Sequence, residues 1–184
     1  QAGAKPHEVL GIGVDTTGST PIPVDQAGRA LAEHAEFATH QAAQAWLWKD
    51  HTSKAEAEEI TARARVERPH YLERCGGTYS SEWYWSKILR CERTAPKVFA
   101  AAHSWVELCD FVPAWLVGER APDKLARSIC AAGHKALYAD DWGGLPDAAF
   151  LSMLSPGLAA LRGRLNTRAV TAEQRAGTLC LVAA

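Results

Sequence analysis

The sequence has few cysteines, and no two of them form a C-x-x-C pair. Five is an odd number, and the residues are scattered along the chain as Cys75, Cys91, Cys109, Cys130 and Cys180. This pattern argues against a disulfide framework and against a zinc site, and it favours a reducing, cytoplasmic environment.

An excess of one charge sign is also missing, since 20 basic residues stand against 21 acidic ones. The chain therefore has no net positive field that would attract nucleic acid or an anionic membrane surface, and we expect neither partner. No apolar run approaches the roughly 20 residues that a membrane span requires. Residues 1–6 contain neither an initiator Met nor a signal-peptide pattern, so we expect an internal piece of a longer protein.

Two common nucleotide-binding loops are absent from the sequence. No G-x-x-x-x-G-K-[ST] motif occurs, and the spacing of Gly11, Gly13 and Gly18 does not match G-x-G-x-x-G. The stretch DTTGST from Asp15 to Thr20 superficially resembles the D-x-G-T-x-S phosphate loop of the actin and hexokinase superfamily. An ordinary turn after a strand is the favoured alternative. No histidine has companions that indicate a catalytic triad or a metal site.

What is present is a globular composition, with 47% hydrophobic and 22% charged residues. The apolar run 8–15 predicts a buried strand, and residues 21–25, with two prolines, predict an edge strand that is followed by a turn ending at Gly28. The apolar stretch 128–138 with one embedded charge predicts a strand or ribbon. Alternation of such strands with helices predicts an α/β domain.

Helices are predicted from capping and spacing signals. Ser53 and Glu56 form a capping-box pattern before a helix that extends to Val66, and Pro113 is expected in the first turn of a helix that ends at Gly118. Further helix starts are predicted after residues 80–82, at Pro96 and after residues 146–147, with residues 104–108 between them as a weakly indicated strand.

Seven tryptophans suggest a sugar-binding surface, because an indole face stacks on the C–H face of a polyol. Trp83, Trp105 and Trp115 lie in apolar segments and are expected in the core, whereas the charged neighbours of Trp48 leave core and surface positions equally open. Lys135 stands among small and apolar residues, where an unpaired ammonium is costly to bury. It is either a ligand contact or a lysine whose ammonium reaches solvent.

Five blocks in a fixed order carry a more specific signal: GIGVDTTGSTPIPVD, AWLWKDHT, GGTYSSEWYWSKIL, SWVELCDFVPAWLVGE and CAAGHKALYADDWGGLP. In order and spacing they resemble bacterial L-ribulokinases of the FGGY carbohydrate kinase family. The resemblance implies a ribonuclease-H-like α/β fold of the actin and hexokinase superfamily, incomplete at both ends. Residues 1–160 would belong to the N-terminal, sugar-binding domain, and residues 161–184 would begin the connection to the C-terminal domain.

The resemblance also implies site residues. Gly18, Trp48 and Lys135 match positions that contact the sugar, and Asp50, His51 and Glu82 are expected to support them. No residue matches a catalytic position, and no metal ligand is expected. The complete enzyme would use ATP and Mg²⁺, with no cofactor expected for this piece.

Departures from the family pattern matter as much as the matches. The phosphate loop of the family would precede this chain, and the general base, an Asp, would follow it. The resemblance therefore implies a fragment of an ATP-dependent kinase of L-ribulose in L-arabinose catabolism, inactive as this piece. The alternatives are a fragment of a kinase for another ketose or polyol, and a non-catalytic remnant or binding protein that self-associates through exposed sheet edges.

Overall fold

A computed structural model describes residue 3 and residues 5–180. Four strands occur in this part of the chain: β1 (Pro21–Val24), β2 (Ser104–Glu107), β3 (Arg127–Ser128) and β4 (Ala169–Val170). The helices in the same part are α1 (Lys54–Glu67), α2 (His70–Glu73), α3 (Tyr84–Thr94), α4 (Pro96–Ala101), α5 (Leu108–Val117), α6 (Ile129–Ala136), α7 (Ala148–Leu154) and α8 (Pro156–Arg162). The described chain is thus a mixed helix and sheet structure, as the sequence predicts.

The strands form two small sheets. Strand β1 pairs antiparallel with β2, from Pro21 opposite Glu107 to Val24 opposite Ser104, and every residue of both strands is buried. Strands β3 and β4 pair in parallel. The predicted strand at residues 21–25 and the weakly indicated strand at residues 104–108 are both confirmed. The β1–β2 ladder helps to position the predicted site, because Gly18 lies just before β1.

The turn after β1 is also confirmed. The Asp25 Oδ1 atom accepts hydrogen bonds from the amides of Ala27 (2.8 Å) and Arg29 (2.9 Å), and Gly28 has a φ of 75°. A carboxylate that bonds to amides two and four residues onward is typical of an Asx-type turn. Local chemistry therefore determines this part of the backbone.

The main hydrophobic core lies between the helices. Ile60 of α1, Ile88 and Leu89 of α3, Phe150 of α7 and Leu158 of α8 are completely buried within it. Burying each of these side chains stabilises the fold by about 1.5–3 kcal/mol. The core fixes the position of α3 and therefore also the position of Lys87, a buried charged residue of this helix.

Several predicted helix starts are confirmed. Pro96 is the first residue of α4, and Asp147 caps α7 by accepting a hydrogen bond from the amide of Phe150 (2.8 Å). Helix α1 covers the predicted range, but the predicted capping box is wrong. The Ser53 hydroxyl donates instead to the carbonyl of Ser81 (2.7 Å), and Glu56 is buried beside the arginines of α3.

The predicted buried strand at residues 8–15 is wrong. Residues 9–15 have no regular structure, and Val9, Leu10 and Ile12 are largely exposed. A strand needs a neighbour to satisfy its backbone groups, and no other strand of the described residues pairs with this segment. Apolar composition alone was therefore insufficient to predict a strand at residues 8–15.

The predicted strand or ribbon at residues 128–138 is also wrong, because residues 129–136 form α6. The Ser128 hydroxyl caps this helix by accepting from the amide of Cys130 (3.3 Å), and Gly133 introduces a kink. Ala131, Ala132 and Ala136 are buried, and Ala132 and Ala136 belong to the main hydrophobic core. The error has a physical cause, since small residues give little hydrophobic contrast while alanine has the highest helix propensity.

Helix α5 begins earlier than predicted. It starts at Leu108, directly after β2, where the Leu108 amide donates to the carbonyl of Thr20 (3.0 Å). Pro113 therefore lies inside the helix and not in its first turn. The predicted end is confirmed, because Gly118 adopts a left-handed conformation.

The tryptophans expected in the core differ in burial. Trp105 is completely buried and Trp83 packs at the edge of the core, but Trp115 is 41% exposed, so its predicted core position is wrong. Helix α5 presents Trp115 toward the surface beside Arg120, whose guanidinium lies 5.9 Å from the indole centre.

No helix of the described residues is long and apolar enough to cross a membrane. In the same part of the chain, no group of three or more His, Cys, Asp or Glu side chains is arranged to hold a metal ion.

Candidate functional site

Lys135 is placed by the end of α6, which two aromatic side chains hold in position. The Tyr79 hydroxyl donates to the carbonyl of Lys135, and the indole N–H of Trp85 donates to the carbonyl of Ala136 (2.8 Å). Leu137 then ends the helix in a left-handed conformation. Lys135 as a whole is only partly buried, so it lies at the edge of the folded structure and not within its core.

Gly18 lies directly against the Lys135 side chain. A Cβ on Gly18 would collide with Nζ of Lys135 and would lie 3.3 Å from its Cε. The structure thus brings together two of the three predicted sugar contacts, although they are far apart in the sequence. It also gives a reason for glycine at position 18, because any side chain would compete with the ammonium for the same space.

The residues after Gly18 are held by a buried carboxylate. The Ser19 hydroxyl donates to Oε1 of Glu107, and the amide of Thr20 donates to Oε2 (2.7 Å). Burial raises the pKa of Glu107, while these two hydrogen bonds act in the opposite direction. The Ser19 hydroxyl and the Thr20 amide are therefore bound to Glu107 and are not free to bind a phosphate group.

The third predicted contact, Trp48, lies in the neighbouring segment 46–50. Its side chain is 46% exposed, whereas Trp46 is buried and packs edge-on against Trp105 with ring centres 6.3 Å apart. The amide of Trp46 donates to the carbonyl of Pro21 (3.0 Å), which attaches this segment to β1. The Trp48 indole is therefore presented at the surface by a segment whose backbone is anchored.

The three predicted supporting residues, Asp50, His51 and Glu82, differ in their contacts. His51 Nε2 lies 3.5 Å from a carboxylate oxygen of Glu82, and His51 Nδ1 lies 3.3 Å from the Ser81 hydroxyl, so the structure brings His51 and Glu82 together. Asp50 instead accepts a hydrogen bond from the amide of Thr52 (2.8 Å) and stabilises the local turn.

Sequence reasoning missed two charged residues beneath this region, Lys87 and Glu107. Both side chains are almost completely buried. Lys87 donates hydrogen bonds to the carbonyl of Ser19, next to Gly18, and to the carbonyl of Leu47, next to Trp48. The signal that selected Lys135, a lone charge in an apolar run, is also present in WYWSKIL and SWVELC. Applied to the whole chain, it would have found both.

A groove of about 580 Å³ borders the same segment. Its lining includes Asp50, Lys49 and the backbone neighbours of Trp48, together with Arg90 and Thr94 of α3, but neither Gly18 nor Lys135. The Gly18–Lys135 contact is therefore separate from this groove.

Comparisons of the sequence with known proteins identify relatives of this chain. No protein-family model matches the sequence. The chain is 49% identical over 172 residues to a ribulokinase of Vibrio parahaemolyticus serotype O3:K6 (strain RIMD 2210633), a match that covers 93% of this chain and 30% of that protein. It is 37% identical over 173 residues to a ribulokinase of Shouchella clausii (strain KSM-K16), covering 94% and 30%.

A ribulokinase of Mycolicibacterium smegmatis is 35% identical over 184 residues, which is 100% of this chain and 31% of that protein. The chain thus spans about 30% of the length of the curated relatives that it matches. The resemblance to ribulokinases that the five sequence blocks indicated is confirmed.

Proposed function

We propose that this chain, which is similar to ribulokinases over nearly its whole length, is the part of a pentulose kinase that binds the sugar. The observation that carries the proposal is the contact between Gly18 and Lys135. It places the ammonium of a partly buried lysine beside a glycine, and the two residues that follow this glycine are hydrogen-bonded to Glu107. Such a surface offers hydrogen-bond donors to a polyol at close range.

The proposed ligand is L-ribulose, which Gly18, Trp48 and Lys135 would contact. The Lys135 ammonium has three N–H donors for sugar hydroxyls, and the exposed Trp48 indole offers an apolar face for C–H groups. His51 and Glu82, which lie together, and Asp50, which stabilises the turn after Trp48, would support this wall. No catalytic residue is assigned within the chain.

In the complete protein, the proposed reaction transfers the γ-phosphoryl group of MgATP to O5 of L-ribulose, which gives L-ribulose 5-phosphate for L-arabinose catabolism in the cytoplasm. Phosphoryl transfer depends on positioning and on charge neutralisation. The contribution of this chain is to bind and orient the sugar. Because the Ser19 hydroxyl and the Thr20 amide both donate to Glu107, no step involving the nucleotide is assigned to these two groups.

The proposal includes the wider architecture. Residues 1–160 would form part of a ribonuclease-H-like sugar-binding domain, and residues 161–184 would begin the connection to a second domain. The mixed helix and sheet structure is compatible with an α/β domain.

Binding of L-ribulose to the purified chain tests the proposal. Ligand-observed NMR should detect L-ribulose binding, and Lys135→Met should weaken it while Lys97→Met, at an exposed position of α4, should leave it unchanged. With MgATP added, we expect no phosphorylation of the sugar. A chain that binds no pentulose contradicts the proposed site, and detectable L-ribulose 5-phosphate contradicts the inactivity of this piece.

A kinase for another ketose or polyol is the first alternative, since the same donors would serve other sugars. Titration of L-ribulose against D-ribulose and D-xylulose distinguishes the two proposals. Tighter binding of D-ribulose or D-xylulose would favour the alternative.

A non-catalytic, self-associating protein is the second alternative, and the exposed apolar side chains of Val9, Leu10 and Ile12 favour it. Apolar side chains exposed together often mark an interaction surface. Light scattering that shows a monomer with a cooperative thermal transition would argue against this alternative.

A further inference from the structure

Lys87 is a buried charge whose hydrogen bonds all go to the backbone. Its side chain has no solvent exposure, and its Nζ donates to the carbonyls of Ser19 (2.9 Å), Leu47 (2.8 Å) and Trp46 (3.3 Å). Burial of an ammonium without partners would cost several kcal/mol. Here three acceptors match its three N–H donors, so the charge is satisfied inside the protein.

The three carbonyls belong to two segments that are distant in the sequence. Ser19 directly follows Gly18, while Trp46 and Leu47 directly precede Trp48. One ammonium group therefore joins the backbone next to one predicted sugar contact to the backbone next to another.

Ser19 is held from a second direction as well. Its carbonyl accepts from Lys87, while its hydroxyl donates to Glu107 of β2. The backbone at Ser19 thus lies between a buried cation and a buried carboxylate, which limits the positions that Gly18 can take. The Lys135 ammonium packs against that same glycine, so a shift of Ser19 would also move the surface on which Lys135 rests.

We propose that Lys87 is a positioning residue for sugar binding, whose ammonium group fixes the Gly18–Ser19 backbone relative to the backbone that carries Trp48. This inference rests on the proposed function, because it gives Lys87 the role of holding in place the residues that would contact the sugar. Lys87 acts through these residues, since its own side chain has no surface from which to touch a ligand.

The charges around Lys87 make its action dependent on pH. Burial lowers the pKa of Lys87 to about 8, and the carboxylates of Glu107 on β2, Asp50 in the segment 46–50 and Glu82 before α3 oppose that decrease. When the group loses a proton it keeps two N–H donors for three carbonyls. Sugar affinity should therefore decrease as the pH rises from 7 to 9.

The test compares Lys87→Met, which keeps the length of the side chain and removes the donors, with Lys97→Met as the matched control. L-ribulose affinity is measured by ligand-observed NMR between pH 7 and 9, and amide hydrogen exchange is measured without sugar. At pH 7 we expect Lys87→Met to bind L-ribulose about tenfold or more weakly than wild type. This corresponds to a loss of about 1.4 kcal/mol or more in binding free energy, which results from the missing hydrogen bonds. Its affinity should no longer fall between pH 7 and 9.

Hydrogen exchange supplies a readout that does not depend on the ligand. In Lys87→Met, exchange should accelerate at residues 16–20 and 46–50 and stay unchanged in α7 and α8. The proposal is overturned if Lys87→Met binds L-ribulose as tightly as wild type and its amides at residues 16–20 and 46–50 exchange at wild-type rates. Faster exchange throughout the protein would also overturn it, because that result indicates general destabilisation.

Failure of the proposed function is distinguishable from failure of this inference. If the wild-type chain binds no pentulose, the sugar site is wrong, and unchanged exchange in the two segments would in addition show that Lys87 does not join them. If Lys87→Met does not fold, Lys87→Gln, whose shorter side chain cannot reach all three carbonyls, replaces it in both measurements, and wild-type affinity with wild-type exchange at residues 16–20 and 46–50 overturns the proposal.

Discussion

The ammonium group of Lys135 occupies the space in which a Cβ on Gly18 would lie. Each residue therefore affects the other: glycine leaves room for the ammonium, and a larger residue at position 18 would force the lysine side chain to move. The contact joins the end of α6 to the loop before β1. A site built from segments so distant in sequence is sensitive to small changes at either position.

Gly18→Ala should weaken L-ribulose binding by about tenfold or more, because the added methyl group displaces the Lys135 ammonium, and loss of one charged donor costs on the order of 1.5–3 kcal/mol. Gly13→Ala is the matched control, since a Cβ at that position meets no atom within 4 Å. Titrations followed by NMR measure both variants. Equal affinities for the two would show that the Gly18–Lys135 contact does not contribute to the site.

Trp48→Leu should reduce sugar affinity while leaving the free energy of unfolding within about 0.5 kcal/mol of wild type, as is usual for exposed positions. The reason is that the indole is 46% exposed and supplies a face for the ligand and not for the core. Trp115→Leu, at a residue that is 41% exposed on α5, is the matched control and should bind sugar normally. A large loss of stability in Trp48→Leu would assign this tryptophan to packing.

Gly28→Ala should lower the free energy of unfolding by more than Gly76→Ala does. Both glycines have positive φ values, 75° and 74°, so the backbone conformation costs each alanine a similar amount, about 1–2 kcal/mol. A Cβ on Gly28 would in addition collide with the carbonyl of Arg120, whereas a Cβ on Gly76 meets nothing within 4 Å. Urea unfolding measures the difference, and identical values would rule out the predicted collision.

The stability contribution of Asp147 should be lost in acid. Burial alone would raise the pKa of Asp147, but hydrogen bonds from Arg68 (2.8 Å), Tyr71 (2.9 Å) and the amide of Phe150 (2.8 Å) outweigh it and lower the pKa to about 2 from 3.8. A carboxyl group whose pKa is lower in the folded state stabilises the protein above its unfolded pKa and loses this contribution as the pH falls.

Urea unfolding of wild type and Asp147→Asn at several pH values tests this expectation. The advantage of wild type should stay constant above about pH 5 and decrease between pH 4 and pH 2, since the unfolded carboxyl titrates near 3.8 and the folded one near 2. A difference between the two proteins that does not change with pH would show that the Arg68–Asp147 ion pair does not stabilise the fold.

The sequence by itself determined the features whose causes are local. The turn from Asp25 to Gly28, the start of α4 at Pro96 and the cap of α7 at Asp147 follow from residues within a few positions of one another. The order of five motif blocks was likewise sufficient to indicate the resemblance to ribulokinases, and similarity over 93% of the chain confirms it.

Tertiary structure decided what depends on partners far away in the chain. The apolar run 8–15 is not a strand because a strand requires hydrogen-bonding partners, whatever its composition. Residues 129–136 form a helix whose Ala132 and Ala136 pack in the main core. The contact between Gly18 and Lys135 forms only when the core has fixed α6 next to the loop before β1. The hydrogen bonds of Lys87 to backbone carbonyls likewise form only when the core has fixed α3. The physical reason is that a buried charge needs partners at hydrogen-bond distance, and only folding determines which segments supply them.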